Sequence, residues 1–124
     1  MGWELRTDRQ IWQQLAELLM LKIVSGEYPA GGRIPSVRDL ASEAGVNPNT
    51  MQRALASLEE SELVTATRNT GRFVTQDDAQ ICRTRAKLAQ TELGLFFERM
   101  MRLGYKKEDV ASMLTSKEKG EEFA

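Results

Sequence analysis

Ile34-Pro35-Ser36-Val37-Arg38-Asp39-Leu40-Ala41-Ser42-Glu43-Ala44-Gly45-Val46-Asn47-Pro48-Asn49-Thr50-Met51 contains two helix starts and one helix stop in a single short run. Ser36 follows a proline and has Asp39 in the capping-box position, with Asp in place of Glu. Val37, Leu40, Ala41 and Ala44 then mark one apolar helical face. Gly45 provides the exit, and Asn47 can cap the next helix with Pro48 at its first position, where a missing N–H costs nothing. Val46 and Met51 can pack across that cap as a hydrophobic staple. The second helix is predicted over Asn47 to Ser61, with Met51, Ala54, Leu55 and Leu58 as its buried face. Little more than Gly45 and Val46 separates the two helices, so they must meet through a tight turn.

Upstream, Ile11, Leu15, Leu18, Leu19 and Ile23 recur at helical spacing, widened by Trp12, Ala16 and Val24, which predicts a long amphipathic helix over Arg9 to Ser25 ended by Gly26. Gly26 to Pro35 is turn-rich, with a short strand expected near Arg33 and Ile34. Downstream, β-branched alternation predicts strands over Val64 to Arg68 and Arg72 to Thr75, joined by a tip of Asn69, Thr70 and Gly71 in which Asn69 and Gly71 can take positive φ. Helical spacing returns from Asp77 to Leu103, with Ala86, Ala89, Leu93, Phe96, Phe97 and Met100 as its spine, and Gly104 ends it. A shorter helix from Lys106 or Lys107 to about Ser116 carries Val110, Met113 and Leu114, and Lys117 to Ala124 is expected to fray. The predicted fold class is mainly α with a small antiparallel β-hairpin, divided into residues 1–75 and a helical extension over 76–124.

With 124 residues, 41% apolar and 28% charged, the composition is globular. No apolar stretch approaches the roughly 18 residues that a membrane span needs, and Met1 to Met20 lacks the pattern of a signal peptide, so a cytoplasmic protein without a membrane partner is expected. Cys82 stands alone and cannot close an internal disulfide. The absence of histidine rules out the common zinc sets, the Ser-His-Asp triad and the Cys-His pair, so no enzyme, metal or cofactor is expected. Net charge is −1, with 8 basic against 9 acidic residues in 1–75 and 9 against 9 in 76–124. Bulk charge therefore gives no support to a polyanionic partner, and positive charge would have to be local, as at Arg68 and Arg72, which have no acidic neighbour in sequence.

Helix, short strand, helix, tight turn, helix and hairpin, in that order, describe a helix-turn-helix with a wing. The exposed edge of the third helix would carry Asn49, Arg53, Ala56 and Glu60, with Thr50 and Gln52 on its flanks. Arginine pairs with the acceptors of guanine and Asn or Gln with adenine, and recognition helices reach bases mainly through their first turns. A family resemblance enters here. Ile11-Trp12-Gln13-Gln14-Leu15, Ile34-Pro35-Ser36-Val37-Arg38-Asp39-Leu40-Ala41 and Val46-Asn47-Pro48-Asn49-Thr50 together resemble the GntR family of bacterial transcription regulators, over roughly Ile11 to Val74. The Asn-Pro-Asn-Thr form with a short tail resembles its YtrA subfamily. The resemblance implies that Arg38 and Thr50 contact DNA and that the wing tip enters the minor groove. Many members carry arginine where this chain has Pro48 and Gln52, so those base contacts do not transfer, and Arg53 is a partial substitute. Asn69-Thr70-Gly71 stands where the family has Gly-x-Gly. The expected DNA-facing set is Ser36, Arg38, Asn47, Asn49, Thr50, Gln52 and Arg53 on the helices, with Arg68, Asn69, Thr70, Gly71 and Arg72 on the wing.

Residues 76–124 are too few to enclose a sizeable pocket alone. The subfamily resemblance implies that they dimerise, and the apolar load of Ala89, Leu93, Phe96, Phe97, Met100 and Met101 agrees, because an unpartnered helix pair would leave it in water. The same cluster could instead line an effector site; a small-molecule effector is compatible with the sequence and unidentified by it. Among single residues, Arg38 is assigned to DNA over a surface ion pair, Asn47 to a cap that leaves base contact open, Trp12 to the core and Cys82 to packing over redox chemistry. Trp3 has no assigned role. The leading expectation is a homodimeric regulator, of the repressor type, on a palindromic double-stranded DNA operator. The alternative, kept alive by the neutral charge, is a winged-helix module for protein contact or ligand sensing.

Overall fold

The computed structural model describes residues 3–118. The apolar spacing around Leu15 makes α1 (Ile11–Val24), the Ser36 cap opens α2 (Val37–Ala44), and the Asn47–Pro48 start opens α3 (Pro48–Glu60). The hairpin is β1 (Val64–Thr67) with β2 (Gly71–Val74), followed by α4 (Asp78–Arg102) and α5 (Lys107–Glu118). The fold is therefore mostly helical with one antiparallel hairpin, as the sequence predicts. The predicted elements end within a few residues of the observed ones, because caps and glycines set most of the boundaries. Of the expectation that Lys117 to Ala124 frays, residues 119–124 lie outside the described residues, and α5 continues through Glu118.

The local stops act through identifiable bonds. Ser36 Oγ accepts from the Asp39 amide at 3.1 Å, and Asn47 Oδ1 accepts from the Asn49 amide at 2.7 Å. Between them Gly45 adopts φ +72° and its amide returns to the end of α2, while the Val46 amide donates to the Ala41 carbonyl at 3.0 Å. Asn69 and Gly71 take φ +73° and +104° at the hairpin tip, as expected of them.

Two compact units divide the chain, Met1–Arg85 and Ala86–Ala124. In the first, α3 packs against α1, α2 and β1. Leu15, Leu19 and Ile23 of α1, Leu40 and Ala41 of α2, and Met51, Ala54, Leu55 and Leu58 of α3 are buried, joined by Ile34, Leu63, Val64, Val74 and Ile81. At about 1.5–3 kcal/mol for each large side chain fully buried, this cluster is the main source of stability. β2 is flanked on both sides. It pairs in register with β1 (Val64↔Val74, Thr65↔Phe73, Ala66↔Arg72, Thr67↔Gly71), and where a short strand was expected near Arg33 and Ile34 a single isolated Arg33↔Phe73 bridge lies along its other edge. The Ile34 amide donates to Arg72 O at 3.0 Å and the Val74 amide to Gly32 O at 2.9 Å.

Three polar anchors escaped the hydrophobic pattern. Gln14 is buried, its side-chain amide donating to Arg6 O at 2.8 Å and its Oε1 accepting from the Arg6 amide at 2.7 Å, which ties the segment before α1 to that helix. Gln80 donates to Ser61 O at 2.8 Å, and Arg85 donates to Val24 O at 2.8 and 3.2 Å. Both carbonyls lie at helix C-terminal ends, where backbone acceptors lack intrahelical partners. These two bonds and buried Ile81 carry the first unit past Thr75 as far as Arg85. Cys82 was expected to pack but is exposed, because the register that buries Ile81 turns its neighbour outward. Trp3 is half-buried with the Lys22 ammonium 5.3 Å from its ring centroid. In the second unit Val110 is buried, whereas Leu93, Phe96 and Met101 retain 53%, 38% and 55% of their surface exposed.

Two glycine substitutions should shift stability in opposite directions. A Cβ at Gly45 or at Gly94 would meet nothing within 4 Å, so sterics are equal, but Gly45 needs φ +72° while Gly94 lies inside α4. Gly45→Ala should cost about 1 kcal/mol and Gly94→Ala should gain up to about 1 kcal/mol, read from denaturant midpoints on the full chain.

Candidate nucleic-acid interface

Because Met51, Ala54, Leu55 and Leu58 are all 0% exposed, the rotation of α3 about its axis is fixed. Asn49, Gln52, Arg53, Ala56 and Glu60, which recur on the opposite face, are exposed, and Thr50 on the flank is half-buried. The exposed face is graded along its length. Its first two turns carry amide and guanidinium groups, and its end carries Glu59 and Glu60, with Glu62 just beyond. Among the described residues the side chains of Asn49, Thr50, Gln52 and Arg53 have no hydrogen-bond acceptor or donor within reach, while Asn47 is engaged as the cap and Ser36 likewise on α2. The helix therefore presents unspent donors and acceptors at its N-terminal end, where its free amides also favour an anion.

Arg38 on α2 and Arg68 at the wing are exposed, and neither has an ion-pair partner among the described residues. Arg72 differs. Its Nε is hydrogen-bonded to Glu59 Oε1 on α3, with side-chain exposures of 18% and 31%. The wing is thus not free of acid, as its sequence neighbourhood implied, because folding brings Glu59 across to β2. Arg72 is an anchor of the hairpin to α3 before it is a source of free positive charge. The expected DNA-facing residues accordingly fall into two groups, those with free polar atoms and those, Ser36, Asn47 and Arg72, already committed within the protein.

Two contributors were missed. Arg33 lies along the wing, its guanidinium 3.1–3.5 Å from where a Cβ on Gly71 would stand, so Gly71 is required by its φ of +104° and leaves room for the Arg33 side chain. The sequence placed a strand at Arg33 but carried no signal for its partner. Trp12 is half-buried, not a core residue as expected, and the Arg53 guanidinium carbon lies over its ring at 4.4 Å. A depression of about 520 Å³ is lined by Glu59, Glu62, Val64, Thr65, Ala66, Thr75, Asp77 and Gln80. Its three carboxylates, of which Glu59 is paired with Arg72 and Asp77 lies 3.9 Å from Arg83, suit neither phosphate nor a DNA backbone. Among the described residues no acidic, cysteine or histidine cluster could hold a metal ion, and no helix is long and apolar enough to cross a membrane.

A winged helix-turn-helix with an exposed polar edge on α3 is the architecture of a class of DNA-binding regulators, and known proteins of this class resemble the chain. The pattern of bacterial regulatory proteins, gntR family, matches residues 11–74, and the chain belongs to that family of transcription regulators. It is 30% identical to the transcriptional regulator YhcF of Bacillus subtilis over 107 residues, covering 86% of this chain and 88% of that protein. The transcriptional repressor YtrA of the same organism is 28% identical over 72 residues, 58% of this chain and 55% of that protein. A GntR family transcriptional regulator from Listeria monocytogenes superposes with a TM-score of 0.82 at 34% identity, over 90% of this chain and 98% of that one. The expected resemblance to the family, with the YtrA regulator among its relatives, is thereby upheld.

The Arg72–Glu59 pair makes a separable prediction. Glu59→Ala should cost about 1–2 kcal/mol in urea unfolding, because it strands a guanidinium that is only 18% exposed. It should also steepen the salt dependence of DNA binding by about 0.9 in log–log slope, since Arg72 is released beside the wing. An unchanged slope would mean that Arg72 does not reach a phosphate.

Proposed function

We propose that this chain is a sequence-specific transcription repressor that binds a palindromic operator in the cytoplasm as a homodimer. The observation that carries it is the reading edge of α3: Asn49, Thr50, Gln52 and Arg53 stand on a helix fixed in rotation by its buried face, with polar atoms unspent within the protein. In this reading Gln52 and Arg53 address base edges in the major groove, Asn49 and Thr50 work at the helix start, and Arg38 binds phosphate from α2. Arg68, Asn69, Thr70 and Gly71, with Arg33 beside them, bring the wing to the minor groove. Ser36, Asn47 and Arg72 serve by holding these elements in place. Family membership and the repressor among the relatives support the regulatory reading.

Residues 1–75 hold the reader, and dimerisation is assigned to 76–124. Ala89, Leu93, Phe96, Phe97, Met100 and Met101 recur along α4, four of them exposed and Phe97 and Met100 half-buried, an apolar load that a second copy would cover. A two-fold pair would present two α3 helices to half-sites about 34 Å apart.

Full-length protein should select an inverted repeat from a random duplex pool and bind it with affinity that falls steeply with salt. Arg38→Ala should weaken binding to all sequences alike and reduce the log–log salt slope by about 0.9. Indifference of the wild type to both sequence and salt would sink this reading. Leu93→Glu should convert a dimer to a monomer in sedimentation equilibrium without loss of helical content, and a persistent dimer would move the interface elsewhere.

A further inference from the structure

One contact joins the recognition helix to α1 outside the core. The Arg53 guanidinium carbon lies 4.4 Å from the centroid of the Trp12 ring. Trp12 Nε1 in turn donates to Gln10 Oε1 at 2.7 Å, and Gln10 is the N-cap residue just before α1. The ring is therefore held from one edge by a hydrogen bond and faces the guanidinium. Arg53 makes no side-chain hydrogen bond among the described residues, and a guanidinium stacked on an aromatic face would keep its in-plane N–H donors free. That is the disposition a bidentate contact needs, because the donors that pair with the N7 and O6 atoms of guanine all lie in the guanidinium plane. Arg53 has no ion pair among the described residues, and Glu59, one of the acids further along the same helix, is taken by Arg72. An unrestrained arginine would have to give up rotamer freedom on meeting a base; one already held on a ring gives up less.

We propose that Trp12 is the positioning residue for base reading by Arg53: the ring, oriented by Gln10, holds the guanidinium extended so that its donors meet guanine in the major groove. The inference rests on the DNA-reading function proposed above and adds to it a determinant of specificity that lies on α1 and contacts no base. It also gives Arg53 a fixed geometry in a chain that has Pro48 and Gln52 at the two positions where many members of the family carry arginine.

The test uses the full chain. The preferred duplex is first selected from a random pool, and affinities of wild type, Trp12→Leu, Trp12→Phe, Arg53→Ala and the Trp12→Leu/Arg53→Ala double variant are measured on it and on duplexes with each base pair replaced in turn. Arg53→Ala should lose roughly tenfold preference for a G·C pair at one position per half-site. Trp12→Leu should lose a similar preference at that same position, keep the preferences elsewhere and keep the wild-type salt slope, while the double variant loses no more than either single one. Trp12→Phe, which retains a ring but drops the Gln10 bond, should fall between wild type and Trp12→Leu. In the free wild-type protein the Arg53 side-chain protons should show upfield ring-current shifts in NMR spectra, a readout that needs neither DNA nor a folded variant. Uniform weakening of Trp12→Leu on all duplexes, retention or sharpening of its preference at the Arg53 position, or absence of the ring-current shift would overturn the inference alone. A wild-type chain with no base preference anywhere would overturn the DNA-reading function and the inference with it.

Discussion

The burial of one face of α3 is the constraint on which the rest of this protein depends. Met51, Ala54, Leu55 and Leu58 are without solvent exposure, and α1, α2 and β1 all pack on the same helix. A close-packed interior resists even small changes in side-chain volume, so the helix cannot rotate without opening voids. Rotation by one residue would turn Asn49 or Arg53 toward the core and a leucine toward water. The geometry of the exposed edge is thus set by apolar side chains that never touch a ligand.

Polar groups refine what the core fixes. Ser36 and Asn47 each occupy a backbone donor at a helix start, and Gly45 supplies the left-handed residue between the helices. Arg72 and Glu59 tie the hairpin to α3, Gln14 ties the preceding segment to α1, and Gln80 and Arg85 take carbonyls at the C-terminal ends of α3 and α1. These anchors share a logic: each satisfies a backbone or side-chain group that burial or helix termination would otherwise leave unpaired. Individually each contributes little, about 1 kcal/mol, but together they decide which surface side chains are free.

Charge at this surface is a matter of placement. A net charge of −1 gives no attraction for a polyanion. The fold compensates by leaving Arg38, Arg53 and Arg68 exposed without acidic partners among the described residues, while Glu59, Glu62 and Asp77 line a depression with residues of β1. Within about 8–10 Å, the screening length at ordinary ionic strength, local arrangement outweighs the sum over the chain. The pairing of Glu59 with Arg72 shows the same principle inside the protein, since two residues 13 apart in sequence neutralise each other only once α3 and β2 are adjacent.

The sequence by itself determined the order and nearly the limits of the helices and the hairpin, because those depend on caps, glycines and periodic apolar residues that act over a few positions along the chain. It also determined which face of α3 is buried, and with it the candidates Asn49, Thr50, Gln52 and Arg53. Pairings between distant segments were not legible: Arg33 beside Gly71, Glu59 with Arg72, Arg85 on the Val24 carbonyl, and Trp12 under Arg53 leave no periodic or local trace. The exposure of Cys82 depended likewise on which residue of α4 the core accepted, Ile81 or its neighbour. Tertiary structure decided these because a polar side chain's availability depends on the groups that folding brings within hydrogen-bond reach, and that proximity is a property of packed elements, not of the sequence around each residue.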